Sequence, residues 1–204
     1  MIVTVSRQFA SGGRELGKRL ADELGLAYYD RELITQIASS ASLTEDYVSK
    51  ILENGGINNY VFSFAHSMPL AASMTQSVTD VLVAQQKVIK AIAAKGDCVI
   101  VGRCADVLAR EYKPVRLFVY ADDASKIARC REREREGEEL TDKKLLKRFK
   151  EIDKGREKIH DLLASTSWGE KSGYELMINT SDMRIKDIVK PLSEFIKAMS
   201  RGKE

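Results

Sequence analysis

The sequence contains few of the residues on which metal centres, disulfide frameworks and histidine-based catalysis depend. Its 204 residues include three cysteines and two histidines, and no two cysteines have the spacing of a metal-binding pair. A zinc site or a serine–histidine triad therefore has little to build from. The odd cysteine count and the lack of a secretory leader pattern lead us to expect a reducing, cytoplasmic setting.

Long apolar runs and an excess of one charge are also missing. No apolar stretch approaches the roughly 20 residues that a membrane-crossing helix needs, so we expect no membrane association. The net charge is only +3, which does not favour nucleic acid as a partner. The composition, 44% hydrophobic and 31% charged, is typical of a soluble domain with a packed core. Any bound anion must be held by local clusters of arginines and backbone amides.

Short apolar runs alternate with helical patterns along the chain. Five runs have the continuous apolar character of strands buried on both faces of a parallel sheet, at residues 2–6, 26–29, 98–101, 116–120 and 175–179. Helical patterns fall at residues 13–24, 32–39, 44–53, 77–95, 124–135, 142–163 and 184–199. This alternation predicts an open α/β sheet. The stretch 40–79 is longer than a plain crossover requires, which indicates an insertion.

The first predicted strand leads into a small-residue turn that has the outline of a phosphate-binding loop. In such loops, backbone N–H groups and a helix N-terminus converge on an anion. The usual spelling, G-x-x-x-x-G-K-[ST], aligns with RQFASGGR at residues 7–14, so that Gly13 stands in place of the lysine. Either flanking guanidinium, that of Arg7 or that of Arg14, is able to replace the missing charge. Ser11 offers a hydroxyl for Mg²⁺, and an ordinary strand-to-helix turn is the alternative interpretation.

The chain resembles the cytidylate kinase-like P-loop proteins in several segments that occur in the order of that family. The segments are SRQFASGGRELGKRLADELGLAYYDRELI, CVIVGRCADVL, RLFVYA and EIDKGREKIHDLLASTSWGEKSGYELMINTSDM. The resemblance implies one P-loop kinase-like domain over residues 1–204, of the three-layer α/β NTPase type with a five-stranded parallel sheet. It also implies a helical insertion at about 40–90 that binds a nucleoside monophosphate, and a lid at about 129–158. The implied reaction is ATP plus CMP or dCMP, with Mg²⁺.

The same resemblance implies roles for individual residues. ATP would be bound by Ser6, Arg7, Ala10, Ser11, Gly12, Gly13, Arg14, Glu15 and Arg129. The acceptor nucleotide would be bound by Asp30, Arg31, Arg103, Asp106, Arg148, Asp153 and Arg156. Phosphoryl transfer depends mainly on positioning and charge neutralisation. The residues expected to act in catalysis are therefore the arginines Arg14, Arg103 and Arg156.

Structural roles compete with several of these assignments. Asp30 precedes a helical pattern and is a suitable N-cap, which is the interpretation we favour for it. The alternating charges of residues 129–136 are typical of a solvated helix face, and Asp153 and Arg156 have the spacing of an exposed ion pair. Trp168 is expected to hold the loop before the last strand rather than to stack on a base.

Two other functions are open from the sequence. The missing lysine favours a nucleotide-binding sensor or regulator with weak or no turnover. The poorly matched middle of the chain favours a kinase for another small acceptor. An apolar segment at residues 60–74 is a candidate interface for a homo-oligomer.

Overall fold

The computed structural model describes residues 1–53, 69–133 and 140–201. The strands of the described chain are β1 (Ile2–Arg7), β2 (Ala27–Tyr29), β3 (Cys98–Val101), β4 (Val115–Tyr120) and β5 (Leu176–Asn179). The α-helices are α1 (Gly13–Leu24), α2 (Glu32–Ala41), α3 (Glu45–Glu53), α4 (Pro69–Lys95), α5 (Ala105–Leu108), α6 (Asp123–Arg131), α7 (Asp142–Leu163) and α8 (Ile185–Arg201). Short 3₁₀ helices lie at Arg110–Tyr112 and Lys171–Gly173.

Within the described ranges, five strands form one parallel sheet in the order β2-β3-β1-β4-β5. The central strand is β1, where Val3 pairs with Val99 on one side and with Val115 on the other. One core packs against α2, α3 and α4, and the other packs against α1 and α8. Because helices cover both faces, the inner strands are continuous apolar runs rather than alternating ones. The predicted three-layer α/β fold is confirmed.

Most predicted boundaries lie within a few residues of the observed ones, and α4 is the main exception. It begins at Pro69, well before the predicted start at residue 77. Proline is well suited to the first position of a helix. At its other end, α4 is followed by Gly96 with φ +72°, the left-handed geometry in which a glycine commonly ends a helix.

The predicted insertion and lid correspond to identifiable elements, although their roles stay predictions. The region 40–90 contains α3 and most of α4, and residues 54–68 within it lie outside the described residues. The region 129–158 contains the end of α6 and most of α7, and residues 134–139 lie outside the described residues. Much of the candidate oligomer segment, 60–74, is likewise outside the described part.

Two further observations bear on the sequence expectations. In the part of the chain that the structure describes, no helix has both the length and the apolar character needed to span a membrane. Cys98, Cys104 and Cys130 are all free thiols.

Candidate functional site

A cleft of about 550 Å³ opens beside the carboxyl ends of β1 and β3, and we call it the main cleft. Open α/β sheets bind ligands at this edge, because parallel strands all end there. Among the described residues, arginines outnumber acidic side chains in its lining. The arginines are Arg7, Arg14, Arg31, Arg103, Arg148 and Arg156, and the acidic residues are Glu45, Asp46 and Asp106. The excess of positive charge suits an anionic ligand.

The turn between β1 and α1 has the backbone shape of an anion-binding loop. Ala10 and Gly12 have φ +58° and +81°, whereas Ser11 between them does not have a positive φ. Alternation of this kind turns successive N–H groups toward one side. A Cβ at Gly12 would also lie 2.7 Å from Cδ1 of Ile185, so both the conformation and the space at this position favour glycine. Since α1 begins at Gly13, its first-turn N–H groups add partial positive charge to the turn.

The Ser11 side chain does not provide the expected hydroxyl for Mg²⁺. Its Oγ donates a hydrogen bond to the Gln8 carbonyl at 2.9 Å, and the residue is fully buried. Thr180 in turn donates from Oγ1 to the Ser11 carbonyl at 2.7 Å. Ser11 therefore has a structural role in shaping the turn, and the interpretation of its hydroxyl as a metal ligand is wrong in this geometry.

Arg14 and Asp30 form an ion pair between α1 and the end of β2. The Arg14 Nε atom lies 2.6 Å from Oδ2 of Asp30, and the Tyr28 hydroxyl donates to the same oxygen at 3.3 Å. Burial and the charge of Asp30 raise the pKa of Tyr28. The N-cap of α2 is Arg31, and no side chain caps this helix. The interpretation of Asp30 as the helix cap is wrong, because its carboxylate contacts α1 instead.

The side chain of Arg7 extends from the end of β1 to the end of β3. A Cβ built on Gly102 would collide with Nη1 of Arg7 and would lie 2.7 Å from its Cζ. Burial, together with the neighbouring guanidiniums of Arg156 and Arg103, lowers the pKa of Arg7 well below its ordinary value. Arg7 forms no ion pair with any carboxylate that the structure describes. Its charge is therefore available to a bound anion.

The segment that follows β3 is strained where it delivers Arg103 to the main cleft. Gly102, Arg103 and Cys104 all have positive φ, at +74°, +56° and +51°. L-residues disfavour this conformation, and such strain persists mainly at functional sites. Gln85 donates from Nε2 to the Arg103 carbonyl at 3.1 Å, which holds the strained peptide in place.

A buried pair, Asp106 and His160, lies at the base of the main cleft. His160 Nε2 lies 3.3 Å from Oδ2 of Asp106, and both side chains are almost fully buried. Burial opposes the charged form of His160, but the hydrogen bond and charge of Asp106, with Asp161, outweigh it and raise the pKa of His160. Asp106 Oδ1 and Gln85 Oε1 are buried without a hydrogen-bond partner among the described residues. Both oxygens are suited to accept N–H groups of a ligand.

The sequence analysis did not identify Gln85 or His160. Both lie within regular helical patterns, in α4 and α7, and although His160 falls in one of the family-like segments, no role was expected for it. Their only signals were weak: a polar residue on the apolar face of α4, and one of only two histidines in the chain.

Helix α7 contacts the turn directly through Asp153 and Arg156. The Phe9 N–H donates to Asp153 Oδ1 at 2.7 Å, and Arg156 Nη1 donates to the Arg7 carbonyl at 3.0 Å and to Asp153 at 3.1 Å. Arg148 lies over the Phe9 ring, with Cζ 5.9 Å from its centroid. The Asp153–Arg156 pair is largely buried, with side chains only 16% and 20% exposed. It is therefore a support for the turn rather than an exposed ion pair.

A second cleft of about 560 Å³, the outer cleft, lies between α1, α6 and the start of α8. Arg129 lines this cleft, and its Nη2 donates to the carbonyls of Thr180 and Met183. Its Nε would lie 3.7 Å from a Cβ on Gly12, so the guanidinium is next to the turn. Burial lowers the pKa of Arg129, and the Arg133 charge acts in the same direction. Arg129 thus lies beside the turn in the outer cleft and does not line the main cleft.

Glu15 lies at the edge of the outer cleft and forms ion pairs with two arginines. Its carboxylate lies 2.9 Å from Arg19 Nε and 3.0 Å from Arg133 Nη2. Arg131 pairs in the same way with Asp142 at 2.7 Å. Arg131 and Arg133 are exposed, as expected for a solvated helix face, whereas Arg129 is partly buried and residues 134–136 lie outside the described residues.

Trp168 packs against the sheet, as expected for a residue that holds the loop before β5. Its ring meets the Phe118 ring edge-on, with centroids 5.1 Å apart. The backbone N–H of Trp168 donates to Asp161 Oδ1 at 3.3 Å. Gly169 follows at close range to the same Phe118 ring. Trp168 therefore packs in the loop before β5 as expected, but it also lines the main cleft, so the expectation that it does not stack on a base stays a prediction.

The chain is similar to one protein family in sequence and to several solved structures in fold. The model of the cytidylate kinase-like family matches residues 2–182. An uncharacterized protein from Eubacterium ventriosum is 20% identical, with a TM-score of 0.66 over 97% of this chain and 98% of that one. No curated protein sequence matches the chain.

Two solved shikimate kinases also have a similar fold. The enzyme from Bacteroides thetaiotaomicron is 14% identical, with a TM-score of 0.55 over 97% of this chain and 98% of that one. The enzyme from Acinetobacter baumannii, solved in complex with shikimate, is 13% identical, with a TM-score of 0.53 over 97% and 93%. At these identities the likeness concerns the fold alone.

Proposed function

We propose that this chain, which belongs to the cytidylate kinase-like family, transfers the γ-phosphoryl group of ATP to a nucleoside monophosphate, with CMP or dCMP as the expected acceptor. The observation that carries the proposal is the arginine-lined main cleft beside a turn with anion-binding geometry. Phosphoryl transfer needs positioned cations more than it needs a nucleophilic side chain. The acceptor phosphate is already ionised, so no strong base is required.

The donor nucleotide fits across the turn that separates the two clefts. Its base would occupy the outer cleft beside Arg129, and its polyphosphate would meet the N–H groups of the first turn of α1. The terminal phosphate would then face the guanidiniums of Arg103 and Arg156 in the main cleft. This arrangement is supported by the position of Gly12, which is in van der Waals range of Arg129 on one side and precedes α1 on the other.

The acceptor fits the main cleft. Its phosphate would be bound by Arg103 and Arg156, since guanidinium groups bind phosphate oxygens in a bidentate fork. The amino group of cytosine would donate to Asp106 Oδ1 or to Gln85 Oε1, the buried acceptors that lack a partner among the described residues. His160 would hold Asp106 in position for this contact.

Mg²⁺ would reach the site with the nucleotide rather than bind to a preformed cage. The described residues include no group of three or more histidine, cysteine or acidic side chains able to hold a metal ion. Mg²⁺ usually keeps several waters and binds substrate phosphates, where it neutralises charge. The residues of this chain would supply the remaining positive charge through their guanidiniums.

A nucleotide-binding regulator without turnover is the second candidate function, and the glycine at position 13 favours it. A coupled assay of ADP release across nucleoside monophosphates and other small acceptors, with and without Mg²⁺, separates the two. We expect Mg²⁺-dependent turnover with CMP or dCMP, and loss of turnover in Arg103→Ala. Arg201→Ala, which removes an exposed arginine at the end of α8, is the matched control. Tight ATP binding by calorimetry without turnover on any acceptor would favour the regulator.

A further inference from the structure

We propose that Arg7 and Gly13 have exchanged the places that a glycine and a lysine hold in the usual phosphate-binding loop, so that the Arg7 guanidinium contacts the transferring phosphate from the end of β1. The inference rests on the proposed function, because it concerns the terminal phosphates of ATP. Side chains at positions 7 and 13 would also occupy the same space, whether or not the protein has kinase activity.

The two positions compete for the same space. A Cβ at residue 13 would lie 2.5 Å from Cβ of Arg7 and 3.0 Å from its Cγ, closer than real Cβ atoms approach. A side chain at position 13 therefore excludes a side chain at position 7. The usual loop has glycine first and lysine second, whereas this chain has arginine first and glycine second. The two departures from the usual spelling are thus one coupled change.

The Arg7 side chain reaches the part of the site where a transferring phosphate would lie. Its guanidinium passes against Gly102, where the missing side chain leaves room for it. Arg103 and Arg156 line the same cleft. The Arg7 guanidinium therefore lies near the arginines that we assign to the acceptor phosphate. In that position it would contact the terminal phosphate of ATP and the acceptor phosphate at the same time.

The charge distribution favours Arg7 over Arg14 as the replacement for the lysine. Arg14 is bound to the buried Asp30 carboxylate at 2.6 Å, so its charge is already compensated. Arg7 forms no ion pair with a carboxylate in residues 1–53, 69–133 or 140–201. Its pKa is lowered mainly by burial and further by the nearby guanidiniums of Arg156 and Arg103. A phosphate bound between these groups would relieve their mutual repulsion. The planar guanidinium of Arg7 would bind two phosphate oxygens, whereas a lysine would contribute a point charge.

Four variants test the exchange: Arg7→Gly, Gly13→Lys, Arg7→Gly/Gly13→Lys and Arg7→Ala/Gly13→Lys. We expect Arg7→Gly to weaken binding of Mg²⁺-ATP at least tenfold by titration calorimetry. Gly13→Lys should lower the melting temperature, because the lysine Cβ meets Arg7. Arg7→Gly/Gly13→Lys restores the glycine and the lysine of the usual loop, although Arg14 still stands in place of its Ser or Thr. It should recover ATP affinity, with a small adjustment at Val119, whose Cβ lies 3.2 Å from the new Cβ.

The matched control is Arg7→Ala/Gly13→Lys, which has the same charges but keeps a Cβ at position 7. It should remain destabilised and should not recover ATP affinity. Equal recovery in the two double variants would overturn the shared-space argument. Unchanged ATP affinity in a folded Arg7→Gly protein would overturn the phosphate contact. Failure of the unaltered chain to bind ATP would instead overturn the proposed function, while the melting temperatures of the double variants would still decide whether the positions share space.

Discussion

The Nε atom of Arg14 lies 2.6 Å from Oδ2 of Asp30, a carboxylate that is only 6% exposed, whereas the arginine side chain is 45% exposed. Removing the arginine would leave a buried charge without its partner. We therefore expect Arg14→Ala to lower the free energy of unfolding by about 1–3 kcal/mol, less than for a fully buried pair because Arg14 is half-exposed. Arg14→Ala/Asp30→Asn should recover part of this loss. Urea unfolding of the unaltered protein, Arg14→Ala, Asp30→Asn and the double variant measures the coupling.

The control for this pair is Lys18→Ala, which removes an exposed ion pair with Asp22 in the same helix. Exposed pairs one helical turn apart contribute only about 0.3–0.5 kcal/mol. A loss of the same small size in Arg14→Ala would contradict the structural role assigned to the Arg14–Asp30 pair.

Gly102→Ala tests whether the space beside Gly102 positions Arg7. The added Cβ would collide with the Arg7 guanidinium, and φ at this residue is +74°. The backbone strain should lower the free energy of unfolding by about 1 kcal/mol, and displacement of Arg7 should weaken Mg²⁺-ATP binding at least tenfold. Gly96→Ala has nearly the same φ, +72°, with no atom within 4 Å of the new Cβ. It should lose similar stability and keep its ATP affinity; an equal loss of affinity in both would exclude the positional role.

Ala10→Gly should stabilise the protein. Ala10 has φ +58°, where an L-residue costs roughly 1–2 kcal/mol and glycine does not. Glycine also has more conformational entropy in the unfolded chain, which offsets part of this gain. We therefore expect a net increase of about 0.5–1 kcal/mol in the free energy of unfolding. Ala91→Gly, on the exposed face of α4, should change stability in the opposite direction by about 1 kcal/mol. A destabilised Ala10→Gly variant would contradict the observed turn geometry.

The Asp106–His160 pair should make stability depend on pH. The pKa of His160 is raised above its ordinary 6.5 because Asp106 and Asp161 outweigh the opposing effect of burial. A raised pKa means that the folded protein holds a proton that the unfolded chain releases. The stabilisation should be complete below pH 6.5 and should be lost as the pH rises through the folded pKa. The difference in free energy of unfolding between the unaltered protein and His160→Gln should therefore decrease as the pH rises from 6.5 through the folded pKa of His160.

NMR titration of the His160 ring gives a direct measurement of the same pKa. The resonance is assigned by its loss in His160→Gln. A midpoint at or below 6.5 would show that burial dominates, and the predicted loss of stability at higher pH would then be absent.

The fold was largely predictable because its signals are local. The inner strands are buried on both faces, so each is a short apolar run, and Gly12 marks the turn that follows β1. Arg103 was expected in the cleft because it follows β3 at the edge where parallel strands end, whereas Arg156, within α7, was assigned to the same ligand only through the family resemblance.

The details that sequence could not give depend on contacts between distant residues. An aspartate before a helix has the same local pattern whether it caps that helix or pairs with an arginine on another element, and Asp30 does the latter. Asp106 and His160 are far apart in the chain, and no spacing rule joins them. The competition between residues 7 and 13 likewise appears only when the Cβ positions are known.

The hydrogen bonds from α7 to the carbonyl of Arg7 and the N–H of Phe9 have a mechanical consequence. They attach the peptide groups that lead into the turn to the same helix that carries Arg148 and Arg156. If α7 tilts toward a nucleoside monophosphate in the main cleft, these hydrogen bonds would move the main chain that leads into the turn between β1 and α1, where we expect ATP to bind. We expect the affinity for either ligand to depend on whether the other is present, and thermodynamic linkage requires this dependence to be equal in both directions.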